Sequence, residues 1–574
     1  MKLAERHPLL LIIGVWLLLR VIFFEGLFGF DDLSHVNFAL HPDHLPRNHW
    51  ETRLLYNGLL ALSVHTLGFA EWVLALPGLL GSLVFTLATW WVTRRLVSAE
   101  AGFLAGIFAS LLVLDVTLST YPAASSLANG FAALGTATLL IAGTRRGLLA
   151  AAGAILGISV WTHISMIFYV GILAGATALA GWPRLDWRRA ISICAVSALA
   201  FLVCELIAFW WLTGNPLYEF TIISKTHMFN QQFAVPLRLP SGKINPSWML
   251  WPLWNLVFSK AFGFFIAVPL AITAFLRRSL EPALRLAPLT ILLYWAWICY
   301  GSQHPLKYLP LDHDTRYWYP MALPACLLAA ALISRVAGAA KRRTFSALLI
   351  LPNCFLLLMS GSWGQNVEIS RELLQYANAH WGTFFVTDRY TYDEMYILLG
   401  ARPPQNIGLI GDTTTAFYHP DAAARRAADD PHLQVLYNPL QEWRADFETF
   451  RKEIDGMERQ NISQGRYRML AYLLPPSMRN RYPLLLRKPP AQLATRCSFG
   501  TDQLAPAFRV KLRSSVIEPW FRYAHQPAHR ILGGAGPQTK ILQDRTEGDR
   551  QVMPTYSIFP LLRAFNYSSE CTSG

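Results

Sequence analysis

The stretch Pro8-Leu9-Leu10-Leu11-Ile12-Ile13-Gly14-Val15-Trp16-Leu17-Leu18-Leu19-Arg20-Val21-Ile22-Phe23-Phe24-Glu25-Gly26-Leu27-Phe28 leads almost directly into Phe30-Asp31-Asp32-Leu33-Ser34-His35. Its first part is long enough to cross a bilayer, for which about 18 apolar residues suffice. It is too long, and lacks the small-residue cleavage site, to be a removable signal peptide. Its second part places two adjacent carboxylates just beyond the membrane. A solvated helix end would account for an acid pair alone. Here His35 follows one turn on, and Glu51 and Arg53 lie in the same loop, which favours chemistry over a polar lip.

Composition extends that reading to the whole chain. Of 574 residues, 53% are hydrophobic and only 15% charged, against about 25% charged in soluble domains. Disorder, a fibrous repeat and a nucleic-acid module are excluded on the same grounds. The net charge of +14 resides largely in clusters at the ends of apolar runs: Arg94-Arg95, Arg145-Arg146, Arg277-Arg278 and Lys341-Arg342-Arg343. Such clusters mark cytoplasmic loops. Eleven apolar runs are read as spans: about 8–28, 70–93, 101–120, 123–143, 147–162, 164–181, 190–212, 256–276, 286–301, 317–334 and 344–362. With Lys2 and Arg6 inside, the N-terminus is cytoplasmic and the C-terminus outside, in a multi-pass membrane protein.

The outer loops hold the unusual residues. The first, about 29–69, carries Asp31, Asp32, His35, His41, Asp43, His44, His49, Glu51 and Arg53. A later one reads Gln303-His304-Pro305-Leu306-Lys307-Tyr308-Leu309-Pro310-Leu311-Asp312-His313-Asp314-Thr315-Arg316. The histidine spacing fits no standard metal site. No metal is required on a first reading, a divalent cation stays open, and any cofactor is unknown.

From about 363 hydropathy falls. Glu368–Ala379 has helical spacing, Thr383–Val386 and Asn406–Ile410 read as short strands, and Asp446–Met457 as a helix. The chain is therefore divided into a membrane module, 1–362, and an extracytoplasmic α/β domain, 363–574, read as a capping or acceptor-handling unit. This last third holds Cys497 and Cys571, which share an oxidising compartment if it lies outside.

Three elements in order resemble a known family. Phe30-Asp31-Asp32-Leu33-Ser34-His35 is similar to the acidic motif after the first helix of GT-C glycosyltransferases, nearest the bacterial aminoarabinose transferases and the protein O-mannosyltransferases. His49-Trp50-Glu51-Thr52-Arg53-Leu54-Leu55-Tyr56, leading to Leu67-Gly68-Phe69, resembles their second acidic segment. Arg316-Tyr317-Trp318-Tyr319-Pro320 resembles their "RY…P" element. The resemblance covers about residues 20–335 and departs in two places. The acid after the third helix is missing from Tyr121-Pro122-Ala123-Ala124-Ser125-Ser126, with only Asp115 near, and a usual basic residue is replaced by His163.

The resemblance implies a polytopic α-helical protein of a bacterial inner (plasma) membrane, with a GT-C-like fold, that moves a hexosyl or pentosyl group, with inversion, from a polyprenyl-phosphate donor to an extracytoplasmic lipid, glycan or protein. Asp31 would be the general base, with Asp32 or Glu51 orienting the acceptor. His35, Arg53, His163, Lys307, Asp312, Arg316 and Tyr317 would line the substrate site. Arg316 suits phosphate because its planar fork donates two parallel hydrogen bonds. The rival reading is a lipid or solute transporter or flippase. Transporters carry ionisable groups near the midplane, whereas here Asp115 and Glu205 are nearly alone inside the apolar runs. The expected partners are a polyprenyl-phosphate-linked sugar, an acceptor and membrane lipids, with no nucleic acid.

Overall fold

The computed structural model describes residues 7–29, 31–42, 44–180, 187–226, 267–276, 282–302, 311, 315–360, 365–410, 425–426, 432–441, 450–452, 454–455, 457–462 and 484–487. Helices dominate: α1 (Pro8–Ile22), α2 (Asp31–Leu40), α3 (Leu54–Leu67), α4 (Glu71–Leu96), α5 (Ala99–Leu111), α6 (Val113–Ser119), α7 (Ala124–Ala142), α8 (Arg146–Thr162), α9 (Met166–Leu179), α10 (Trp187–Thr213), α11 (Tyr218–Thr226), α12 (Ala267–Leu276), α13 (Pro282–Tyr300), a 3-10 turn (Thr315–Met321), α14 (Ala322–Ser334), α15 (Ala339–Ser360), α16 (Gln365–Ala379) and α17 (Arg389–Leu398).

Among the described residues every apolar run read from the sequence contains helix, although the first, 8–28, is helical only over Pro8–Ile22. Among the described residues four helical segments are long and apolar enough to cross a membrane: Glu71–Leu96, Ala124–Ala142, Trp187–Thr213 and Arg316–Ser334. The run 101–120 is not one straight helix. It bends by 55° between α5 and α6, because Leu112 takes an extended conformation that ends one helix and caps the next. The bend aims Asp115 into the bundle. The first outer loop is also more ordered than a loop, holding α2 and α3; α3 is apolar but, at 14 residues, shorter than a span.

Small residues bring the helices together, as close backbone approach requires where lipid gives no hydrophobic drive. A Cβ on Gly81 would lie 2.4 Å from the Leu127 Cα, and one on Gly130 would lie 2.3 Å from the Gly81 carbonyl. Ser126 Oγ adds a hydrogen bond to the Gly78 carbonyl at 2.8 Å across the same α4–α7 contact. Gly153 admits the Cys194 backbone in the same way, seating α10 on α8. Only 11% of the apolar window of α10 is buried, so among the described residues its other faces, with Trp210 and Trp211, are exposed.

Beyond α15 lies a six-stranded sheet of order β3-β2-β1-β4-β6-β5, built from β1 (Phe385–Thr387), β2 (Ile407–Ile410), β3 (Arg425–Arg426), β4 (Gln434–Tyr437), β5 (Glu458–Asn461) and β6 (Leu484–Arg487). The first four strands are parallel; β6 and β5 add antiparallel pairs. Parallel strands are normally covered on both faces, and these are. Val386, Ile410 and Val435 pack with Phe450 and Ile454, while Phe385, Leu409 and Leu436 face a core shared with Leu27, Leu33, Val36, Tyr56 and Val73. The hydrophobic core therefore runs without a break from the segments on either side of residue 362. Asp388 caps α17, accepting from Tyr390 and Thr391 N–H groups. Of the expected helix Asp446–Met457, residues 450–452 are helical among those described.

Candidate active site

Asp31 is the first residue of α2, and its carboxylate pairs with the Arg316 guanidinium 285 positions along the chain. The pair is partly exposed, 15% for Asp31 and 21% for Arg316, so both groups can meet a ligand. Arg316 stands at the start of the 3-10 turn, over the Tyr317 ring at 5.8 Å. That turn is fixed from below: Tyr294 Oη donates to the Tyr317 carbonyl at 2.9 Å.

A second guanidinium is organised beside the first. Asn57 donates its amide to the Trp50 and Glu51 carbonyls at 3.1 and 2.9 Å, leaving Oδ1 to accept from His35 Nδ1 at 2.7 Å. His35 then offers Nε2 as acceptor to Arg53 Nη1 at 3.2 Å. The imidazole stays neutral because burial, reinforced by Arg53, drives its pKa down to about 3. Arg53 is lowered to about 10, by burial first and then by Arg316, and remains cationic at neutral pH. Arg53 thus adds a second positive charge near the Asp31–Arg316 pair, an arrangement that attracts a further anion.

His163 belongs to the same cluster. It follows α8 as its C-cap, and its Nδ1 accepts from the Ser165 hydroxyl at 2.8 Å and backbone N–H at 3.4 Å. Burial, then Arg53 and Arg316, hold its pKa well below the usual value. With Nδ1 accepting from Ser165, Nε2 is left as the ring's hydrogen-bond donor.

The other acids have local tasks. Asp32 is fully buried and accepts from the Phe28 and Gly29 N–H groups at 2.6 and 3.2 Å, fixing the turn before Asp31. Glu51 accepts from Arg47 N–H at 2.6 Å and Asn48 Nδ2 at 2.9 Å, closing its own loop. Burial raises its pKa to about 7. Lys307 and Asp312 lie outside the described residues, as do Cys497 and Cys571. Among the described residues no three His, Cys, Asp or Glu side chains form a group that could hold a metal ion.

Two acids near the site were given no role from the sequence. Glu219 on α11 is buried beside Arg53 and accepts from Thr52 Oγ1 at 3.4 Å. It also hydrogen-bonds the Glu205 carboxyl, and burial lifts its pKa to about 7. Behind the 3-10 turn, fully buried Asp115 accepts from Arg20 Nη2, Ser82 Oγ and Tyr319 Oη. Arg20 also donates to the Ser110 carbonyl at 2.6 Å and to Ser82 Oγ at 2.9 Å. Arg20 was signalled in sequence as a cation inside an apolar span, which normally has a partner.

No family model matches this chain, and no curated protein matches it. Among solved structures it is similar to ArnT from Cupriavidus metallidurans bound to undecaprenyl phosphate, with 12% identity and TM-score 0.50 over 83% of this chain and 97% of that one. The apo state of that protein gives 12% identity and TM-score 0.52 over 84% and 98%. The Archaeoglobus fulgidus oligosaccharyltransferase tethered with an acceptor peptide gives 11% identity and TM-score 0.44 over 78% and 71%.

Proposed function

We propose that this chain, a membrane protein with the GT-C fold, is a glycosyltransferase that moves a sugar from a polyprenyl-phosphate donor to an extracytoplasmic lipid, glycan or protein. The observation that carries the reading is the Asp31–Arg316 pair, partly exposed and backed by Arg53 and His163. A base and a phosphate-binding fork meet at one point, from opposite halves of the membrane module.

In this reading the donor phosphate competes for Arg316 and draws it from Asp31. The freed carboxylate takes the proton of the acceptor nucleophile as that atom bonds to the anomeric carbon. The bond from that carbon to the phosphate oxygen breaks, and its electron pair leaves on the phosphate. Arg316 and Arg53 stabilise the added charge, and His163 donates a hydrogen bond from Nε2. Single displacement inverts the anomeric carbon. Asp32 positions the turn, and Glu51 shapes the adjoining loop.

In the same reading the N-terminus is cytoplasmic and the region after residue 362 extracytoplasmic, in accord with the placement of the arginine clusters. Against the transport reading, the ionisable groups are concentrated at the Asp31–Arg316 surface, and Arg20 and Asp115 inside the apolar runs pair with each other. The test is release of free undecaprenyl phosphate from a panel of undecaprenyl-phosphate-linked hexoses and pentoses by purified protein. Wild type should release it with at least one donor and Asp31→Asn should not. Equal release by both would move the base elsewhere.

A further inference from the structure

The turn that delivers Asp31 contains two glycines in left-handed conformations, Gly26 (φ +72°) and Gly29 (φ +93°). At each, a carboxylate oxygen occupies the space a side chain would need. A Cβ on Gly26 would lie 2.1 Å from Glu71 Oε2, and one on Gly29 would lie 2.7 Å from Glu394 Oε1. These carboxylates come from distant elements, Glu71 from the first turn of α4 and fully buried Glu394 from α17. Yet adjacent residues of one helix hold both. Arg371 of α16 pairs with Glu71, and Ser370 Oγ donates to Glu394 Oε2 at 2.5 Å. Gln441 Nε2 donates to the other Glu394 oxygen at 2.8 Å, and Asn438 Nδ2 donates to Ser370 Oγ at 3.3 Å.

The opposite side of the turn is fixed within the membrane module. Gly26 N–H donates to the Thr120 carbonyl at 3.0 Å, and Asp32 takes the Phe28 and Gly29 N–H groups. Only Phe30 separates Gly29 from Asp31, so any movement of the turn is passed to the carboxylate. Misplacement of a reacting group by about 1 Å can cost about 100-fold in rate.

We infer that α16 is a clamp that sets the register of Asp31: Ser370 and Arg371 are positioning residues that act through Glu394 and Glu71 on the glycine turn. Only the last link, from turn to turnover, rests on the transferase reading. The region after residue 362 then has a task at the site itself, beyond covering it.

The test is hydrogen exchange on the full chain in detergent. In Ser370→Ala, exchange of the segment 24–34 should rise about tenfold, the effect of losing a buried hydrogen bond, and in Arg371→Ala, whose pair with Glu71 is partly exposed, it should rise about two- to fivefold. Segment 124–142 should exchange as in wild type, and Arg371→Lys should recover part of the protection at 24–34. No change at 24–34 in both variants, or an equal rise at 124–142, would overturn the clamp. The companion measurement splits turnover from binding: kcat on the wild type's preferred donor should fall at least tenfold, with the undecaprenyl phosphate Kd within about twofold of wild type. Raised exchange with wild-type kcat would overturn the link to Asp31. A wild type that transfers no sugar defeats the transferase reading alone, since the exchange arm still decides the clamp.

Discussion

Arg20→Met should destabilise the membrane module by about 3 kcal/mol, at the lower end of the range for breaking a buried ion pair. The lower end applies because Asp115 keeps two donors, Ser82 Oγ and Tyr319 Oη. Asp115→Leu should cost about 5 kcal/mol, since Arg20 is left as a buried cation facing only neutral groups of Trp16, Ser82 and Ser110. The double variant removes both charges and fills the space with apolar atoms, so it should be no less stable than either single variant. The assay is unfolding of the full chain by titration with SDS in mixed micelles. Losses that add to within about 0.5 kcal/mol in the double variant would mean the two groups are independent, and the brace behind the 3-10 turn would be refuted.

Arg316→Ala should raise the Kd for undecaprenyl phosphate about 10- to 100-fold, the worth of charge-assisted hydrogen bonds, with Arg316→Lys intermediate; equal affinity in titrations of the three proteins would remove Arg316 from the phosphate site. Glu51 has its pKa raised by burial from 4.5 to about 7, so the fold binds its proton more tightly than the unfolded chain does. Its contribution should therefore be full below about pH 4.5 and be lost as pH rises through 7. Glu51→Gln should flatten the decline in stability between pH 5 and about 7, and an unchanged slope in the micelle titration would place the titrating group elsewhere. The five described cysteines are free thiols, so denatured, unreduced protein should show five reactive thiols if Cys497 and Cys571 pair, and seven if they do not.

Much of this was legible in the sequence because it rests on local pattern. Apolar runs announce helices through their own length, and Asp31 and Arg316 stand out as charges at the ends of such runs. The resemblance of the two motifs put both in one substrate site, but their pairing across 285 positions is a tertiary contact that no local pattern announces. Glu51 shows the limit of residue type: it is a second acid in the right loop, but the N–H groups that claim it belong to its near neighbours Arg47 and Asn48. The bend at Leu112 was hidden because Leu112 is apolar like its neighbours, and hydropathy does not register backbone direction. Glu394 and Ser370 look like surface residues of amphipathic helices; only the tertiary approach of Gly29 gives them a task. Glu205 was noticed as a buried acid, whereas its partner Glu219 lay in a segment whose sequence showed no span.

The central claim is that a lipid phosphate takes Arg316 from Asp31. A density map of the full chain bound to undecaprenyl phosphate tests it most directly. The phosphate should lie about 2.7–2.9 Å from the Arg316 guanidinium, with the Asp31 carboxylate released and facing open space beside it. A phosphate bound elsewhere, or one bound with the Asp31–Arg316 pair still closed, would contradict the account.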